Sequence, residues 1–328
     1  MKFAIVGAGA IGGLLALKLH LINEEIHLIA RGKTFDIIHD NGIQIISKNE
    51  TLTGSPSITN SFNNIGAVDY LFLTVKAHNI IEIGPKLAPL INENTSIIST
   101  QNGIPWWYFH YINSKYGKIN IQSLNPNGII DKWIPKSQII GSIIYPSVIV
   151  REIGILEHIE GNRISIGKID GRKTKNTLVL SEILNKAGFK TRIQNDIRNE
   201  LWLKLLGNIF FNPVSALTHS TLEDIVKFQH TNILAYKVMK EAYLIADKLK
   251  VKIPISIDQR ISGAGKVGQH KTSMLQDLET KKPMEIDPIL GSIIELAQLM
   301  KIKIPHIETL YACVKLLDKN NSKNKLSQ

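Results

Sequence analysis

Met1-Lys2-Phe3-Ala4-Ile5-Val6-Gly7-Ala8-Gly9-Ala10-Ile11-Gly12-Gly13 opens the chain. The apolar run Phe3 to Val6 is short enough for a buried strand. It stops at a GxGxxG turn, and a helix-period segment follows from Ile11 to about Leu21. Strand, glycine turn and helix in that order are the setting a dinucleotide fingerprint requires. Gly7 permits the tight turn, Gly9 lets backbone approach a pyrophosphate, and Gly12 lets the helix lie close to the strand. Residues Gly7, Ala8, Gly9, Ala10, Ile11 and Gly12 therefore form the expected cofactor turn. The helix N-terminus behind it offers N–H groups and a favourable dipole to an anion.

The second apolar run, Glu25 to Ala30, decides which cofactor. An NAD site places Asp or Glu about twenty residues past the fingerprint, against the ribose hydroxyls. Here the position holds Ala30-Arg31-Gly32-Lys33. Nothing acidic in that stretch repels a 2′-phosphate, and the planar fork of Arg31 suits one. NADP(H) is the expected cofactor. The alternative is an ordinary solvated loop arginine.

The 328 residues are enough for one or two domains with a substantial core, and 44% hydrophobic with 20% charged residues is ordinary for a soluble globular protein. Cys313 is the single cysteine, which excludes an intrachain disulfide, a multi-cysteine zinc site and a CxxC redox pair. No histidine pair has metal-ligand spacing, so no metal is expected. The N-terminal apolar stretch reads as strand and helix rather than as a signal peptide, and no apolar run is long enough to span a bilayer. A cytoplasmic protein is expected. The net charge of +11 invites a nucleic-acid reading, but the richest basic stretches, Lys168 to Lys175 and Lys315 to Lys325, lack interleaved aromatics for stacking. The charge is better suited to attracting an anionic cofactor and substrate.

Strand-like and helix-like segments alternate as far as about Arg192, with strands expected at Val68–Lys76 and Thr95–Thr100 and further β-rich runs within 139–166. That alternation predicts a parallel sheet with crossover helices. Arg31, Lys76 and Asn102 each follow the carboxyl end of an expected strand, where ligands of open α/β sheets bind. Beyond residue 194 the periodicity turns helical, over 197–217, 231–249 and 287–300. The expected fold is thus an N-terminal Rossmann-type dinucleotide-binding domain, 1–193, followed by an all-helical C-terminal domain, 194–328. The polar tail from Asp318 onward is expected to fray.

One helix is polar where it ought not to be. In Leu201-Trp202-Leu203-Lys204-Leu205-Leu206-Gly207-Asn208-Ile209-Phe210-Phe211-Asn212, the polar residues Lys204, Asn208 and Asn212 fall at i, i+4, i+8 on one face. An ammonium among apolar neighbours loses proton affinity and becomes suited to proton transfer. A narrow solvent-facing stripe is the plainer alternative. Pro213 is expected to disturb the helix just beyond. Ser273 and Glu285 lie in a later polar constellation and, on spacing alone, suit capping or surface roles.

Taken together, Val75-Lys76-Ala77, Gln101-Asn102-Gly103, Glu200-Leu201-Trp202-Leu203-Lys204-Leu205, Asn208, Asn212-Pro213, Ser273-Met274-Leu275-Gln276-Asp277 and Glu285-Ile286-Asp287 resemble the ketopantoate reductase family over nearly the whole length. The resemblance implies NADPH-dependent reduction of 2-dehydropantoate to pantoate, in pantothenate and coenzyme A biosynthesis, at a cleft between the two domains. It implies that Lys204 is the general acid for the ketone oxygen, and that Glu285 pairs with it and orients the substrate hydroxyl. It further implies that Asn208 and Asn212 bind the hydroxyl end, Ser273 the carboxylate, Asn102 both cofactor and substrate, and that Lys76 lies beside the cofactor. A homodimer is compatible with it, and neither a membrane nor a nucleic acid is implied as partner. The chain departs from some members at Thr221-Leu222, where those carry a further asparagine. The aromatic segment Ile104-Pro105-Trp106-Trp107-Tyr108-Phe109 is either a packing cluster or a substrate-selecting element. A reductase of another small keto acid, or a non-catalytic NADPH-binding sensor, is the competing expectation.

Overall fold

The computed structural model describes residues 1–112 and 114–326. Its strands are β1 (Lys2–Val6), β2 (Glu25–Ile29), β3 (Ile43–Ser47), β4 (Thr51–Gly54), β5 (Ser57–Thr59), β6 (Tyr70–Leu73), β7 (Ser96–Ser99), β8 (Ile139–Ile144), β9 (Ser147–Glu152), β10 (Ile155–Glu160), β11 (Arg163–Lys168) and β12 (Lys190–Ile193). Its helices are α1 (Ala10–His20), α2 (Lys33–Asn41), α3 (Ile80–Ile83), α4 (Lys175–Lys186), α5 (Ile197–Thr218), α6 (Leu222–Lys227), α7 (Gln229–Lys248), α8 (Ile257–Gly265), α9 (Ser273–Glu279), α10 (Ser292–Met300) and α11 (Pro305–Leu326).

The chain folds as two compact units. One comprises 1–101, 109–113 and 127–197; the other comprises 102–108, 114–126 and 198–328. The second thus takes in two stretches that a single boundary at 193/194 assigns to the first.

The first unit is built on an eight-stranded sheet of order β12-β11-β8-β7-β6-β1-β2-β5. Every neighbouring pair is parallel except β8 with β11. The inner strands β1 (from Phe3), β6 and β7 are buried, and β1 and β6 accordingly read as unbroken apolar runs rather than alternating ones. The strand order reverses at β1, between β2 and β6, so a topological switch point lies directly after Val6. A second, four-stranded sheet has the order β4-β3-β10-β9. Helix α1 contacts strands of both sheets, and a Cβ at Gly13 would come within 2.8 Å of Leu156 on β10. Being covered on both sides, α1 is apolar all round rather than amphipathic. The β-rich region 139–166 therefore divides between the two sheets, instead of closing one.

The second unit is helical. Helix α5 runs without a break through Pro213, contrary to the sequence expectation. Proline removes one donor and crowds the preceding turn, but Ile209, Phe210, Phe211, Val214 and Ala216 are all buried, and that packing keeps the helix whole. Helix α11 likewise continues to Leu326 instead of fraying from Asp318, anchored by buried Ile307, Leu310 and Val314; residues 327 and 328 lie outside the described ones. Its first turn is held by the buried Glu241 of α7, which accepts from the backbone N–H of His306 and of Ile307, both at 3.0 Å, and contacts His306 Nδ1 at 2.6 Å.

Candidate active site

In the first unit the turn after β1 has the shape the glycines suggest. Gly7 has φ of +110°, which favours glycine. A Cβ at Gly12 would stand 1.8 Å from the Gly7 carbonyl oxygen, so the helix approaches the turn more closely than any side chain allows. A Cβ at Gly9 would meet nothing within 4 Å, leaving the backbone open to a bulky ligand. Gly9 is also the N-cap of α1 and provides no side-chain cap, so the helix's first N–H groups have no side-chain acceptor at that position. Thr74, just past β6, donates from Oγ1 to the carbonyls of Val6 and Gly7 at 2.9 and 2.8 Å and fixes the turn. These features fit a dinucleotide pyrophosphate.

Arg31 follows β2 with its side chain 77% exposed, paired with Glu82 of α3. The carboxylate absent from the sequence around Arg31 is thus supplied from 51 residues away. Because both groups face water the pair is weak. Lys76, half-buried, is the N-cap of the short turn 77–79 after β6. Gln101, whose role was not legible, is a buried staple: Nε2 donates to Leu73 and Val75 carbonyls at 2.7 and 3.0 Å, and Oε1 accepts from Ser99. It holds the carboxyl ends of β6 and β7 in place.

The second unit brings three predicted residues together. Lys204 Nζ donates to Asn102 Oδ1 at 2.8 Å, and Asn102 Nδ2 donates to Glu285 Oε2 at 3.0 Å. A lysine can only donate and a carboxylate only accept, so the asparagine amide has one workable orientation. Burial pushes the Lys204 ammonium down from 10.5 to about 8; Glu285 pulls it back up, and Arg260 pushes it further down.

The backbone explains why these side chains meet. Gly103, with φ of +81°, lies so close to Pro288 that a Cβ would fall 2.0 Å from the Pro288 oxygen. That oxygen accepts from Ile104 N–H at 3.0 Å. The wide turn Asp287–Gly291, whose second residue makes this contact, is itself held by Asp287, which accepts from Tyr311 and Lys315. The strap 102–108 is fixed to α5 by Trp202, whose indole donates to Tyr108 Oη at 2.7 Å, and by Arg198, which donates to the Tyr108 carbonyl. Trp106, Trp107 and Tyr108 are buried and pack within the second unit.

Asn208 is half-buried and Asn212 buried, one and two turns beyond Lys204 on α5. Ser273 is exposed in the first turn of α9, where the cap is its neighbour Thr272, accepting from Leu275 N–H. Arg260 is the residue that sequence reasoning missed. Among the described residues no group of His, Cys, Asp and Glu could hold a metal, and no helix is long and apolar enough to cross a membrane.

A parallel sheet with a glycine turn at its switch point, and a helical unit holding a lysine of lowered proton affinity, define a Rossmann-type oxidoreductase. The sequence profile of ketopantoate reductase PanE/ApbA matches residues 3–171, and that of its C-terminal region matches 196–318. The chain is 41% identical to a 2-dehydropantoate 2-reductase of Mesorhizobium japonicum over 97% of its own length and 98% of the relative's. A solved structure from Ralstonia solanacearum MolK2, named for a ketopantoate reductase, superposes with a TM-score of 0.93 at 29% identity, covering 98% of both chains. A D-mandelate dehydrogenase solved with NADH and anilino(oxo)acetate shares the fold, with a TM-score of 0.84 at 19% identity and 98% and 100% coverage. The chain belongs to the ketopantoate reductase family and is an oxidoreductase of the 2-dehydropantoate 2-reductase type.

Proposed function

We propose that this chain reduces 2-dehydropantoate to pantoate with NADPH, in the cytosol, and that Lys204 is its proton donor. The observation that carries the reading is the hydrogen-bonded chain Lys204–Asn102–Glu285, which begins at an ammonium that burial pushes down to about 8. When bound, the nicotinamide supplies a hydride to the ketone carbon. Lys204 donates a proton from Nζ to the oxygen as negative charge develops there, and the ammonium stabilises that charge. Asn102 orients the ammonium by accepting one of its hydrogens. Glu285 keeps enough proton affinity in a partly buried lysine for it to be charged at neutral pH.

Toward the cofactor, the open backbone at Gly9 and the first turn of α1 suit the pyrophosphate, and Arg31 suits the 2′-phosphate that distinguishes NADPH from NADH. Asn208 and Asn212 continue the stripe begun by Lys204 and suit the substrate's hydroxyl end. A site built to hydrogen-bond that hydroxyl discriminates strongly against acids lacking it.

The test is NADPH oxidation with 2-dehydropantoate, beside NADH and simple 2-oxo acids without the 4-hydroxyl. Turnover strongly favouring 2-dehydropantoate with NADPH is expected. Preference for another oxo acid refutes the named substrate, and preference for NADH refutes the role of Arg31.

A further inference from the structure

An NAD site carries a carboxylate just past its second strand, against the ribose hydroxyls. The sequence around Arg31 lacks one, yet the fold restores one there. Glu82 of α3 meets the Arg31 guanidinium at two points: Nη1 donates to Oε1, and Nη2 donates to Oε2 at 3.4 Å. The two prongs that suit a phosphate therefore already hold a carboxylate. Asn79, three residues before Glu82, also donates to that carboxylate, and the charge of Lys86 favours its ionised form. The hydrogen bond from Arg31 is the foremost of the effects that hold the Glu82 carboxyl below the usual carboxylate range, so it is ionised at neutral pH. The residue after Arg31 leaves the place open: Gly32 has φ of +54°, and a Cβ there would meet nothing within 4 Å. The ion pair thus stands just past the carboxyl end of β2 with room for a ligand beside it.

We propose that Glu82 sets how strongly this chain prefers NADPH: its carboxylate contends with the 2′-phosphate for Arg31 and so narrows the margin over NADH. This inference rests on the reading of Arg31 given above. A phosphate that takes the same two prongs must replace the carboxylate. One that takes another edge of the guanidinium meets a cation already neutralised by Glu82. In either case NADPH gains less from Arg31 than a lone arginine would give it. NADH carries a neutral hydroxyl at the same position and loses nothing to the neutralised cation; a carboxylate is itself an acceptor for such a hydroxyl. The side chains are 77% and 43% exposed, and exposed pairs of this kind change an equilibrium by a factor of a few rather than by orders of magnitude. Glu82 therefore tempers the discrimination that Arg31 supplies, without reversing it.

The test is a fluorescence titration of NADPH and of NADH onto wild type, Glu82→Gln, Arg31→Ala and the double variant, at low ionic strength and without substrate. Glu82→Gln keeps the size of the side chain and removes its charge. It should tighten NADPH binding about threefold and leave NADH unchanged, widening the ratio of the two dissociation constants. In the Arg31→Ala background the same substitution should tighten NADPH less. NADPH binding that is unchanged or weaker in Glu82→Gln overturns the inference, and weaker binding assigns Glu82 to holding Arg31 in place instead. A gain of equal size in the Arg31→Ala background also overturns it, because the carboxylate then acts on the charge of the cofactor without Arg31. Failure of the underlying reading has a different signature: Arg31→Ala then weakens NADPH and NADH equally, and the 2′-phosphate contact falls together with the inference built on it.

Discussion

Replacing Glu285 by glutamine removes a charge while retaining a group that can accept from Asn102. The Lys204 ammonium and the Glu285 carboxylate are joined through one asparagine by hydrogen bonds of 2.8 and 3.0 Å. At a separation of about 8 Å and an effective dielectric of about 20, their attraction is about 2 kcal/mol, equivalent to about 1.5 pH units. The sign is fixed by the chemistry. Glu285 favours the charged lysine, so its loss lowers the lysine's midpoint from about 8 toward about 6.5.

A general acid works only while protonated, so wild-type kcat/KM for reduction should be flat below about pH 7 and fall tenfold per pH unit above 8. In Glu285→Gln the fall should begin near pH 6.5, making the variant about fifteen-fold slower at pH 8 beyond any constant factor seen at pH 5.5. The assay is initial-rate NADPH oxidation across pH with cofactor saturating. Loss of a substrate contact alone lowers the whole profile without moving it. A midpoint that stays in place, or moves upward, refutes the electrostatic coupling.

Gly12→Ala places a methyl group 1.8 Å from the Gly7 oxygen, and a fluorescence titration should show NADPH affinity falling by more than about tenfold. Arg31→Ala should weaken NADPH binding on the order of tenfold while sparing NADH, measured as the ratio of dissociation constants; equal loss for both nucleotides contradicts a 2′-phosphate contact. Glu241→Ala leaves the first N–H groups of α11 without their acceptor and should destabilise the fold by about 2–3 kcal/mol in thermal or denaturant unfolding, with no change in pH midpoint.

What the sequence discloses here is mostly local. The glycine turn is legible because its spacing, flanking strand and following helix all lie within about twenty residues, and each glycine has a separate steric cause. The Lys204 stripe is legible for the same reason, since i, i+4 positions share a face whatever surrounds them. The partners of Lys204 are not: Asn102 is 102 residues away, and Glu285 is 183 residues from Asn102. No periodicity joins them, and their pairing came only from the family resemblance. The second sheet escapes notice because its strands are half-buried, and because β3 finds β10 only after about a hundred residues of intervening chain. Pro213 and the terminal helix show local propensity yielding to packing, as buried neighbours on α5 and α11 outweigh a breaker and a polar composition. Arg260 gives no signal of its own. A single arginine in an amphipathic segment looks like a solvated residue, and only Gly207, the glycine it lies on 53 positions earlier, marks its place.

Proton donation by Lys204 is the claim on which the rest depends. Single-turnover reduction of 2-dehydropantoate by Lys204→Ala, with NADPH affinity measured on the same preparation, tests it most directly. The expected rate is lower by two or more orders of magnitude with the NADPH dissociation constant nearly unchanged. Full-rate reduction by that variant would remove Lys204 from the reaction.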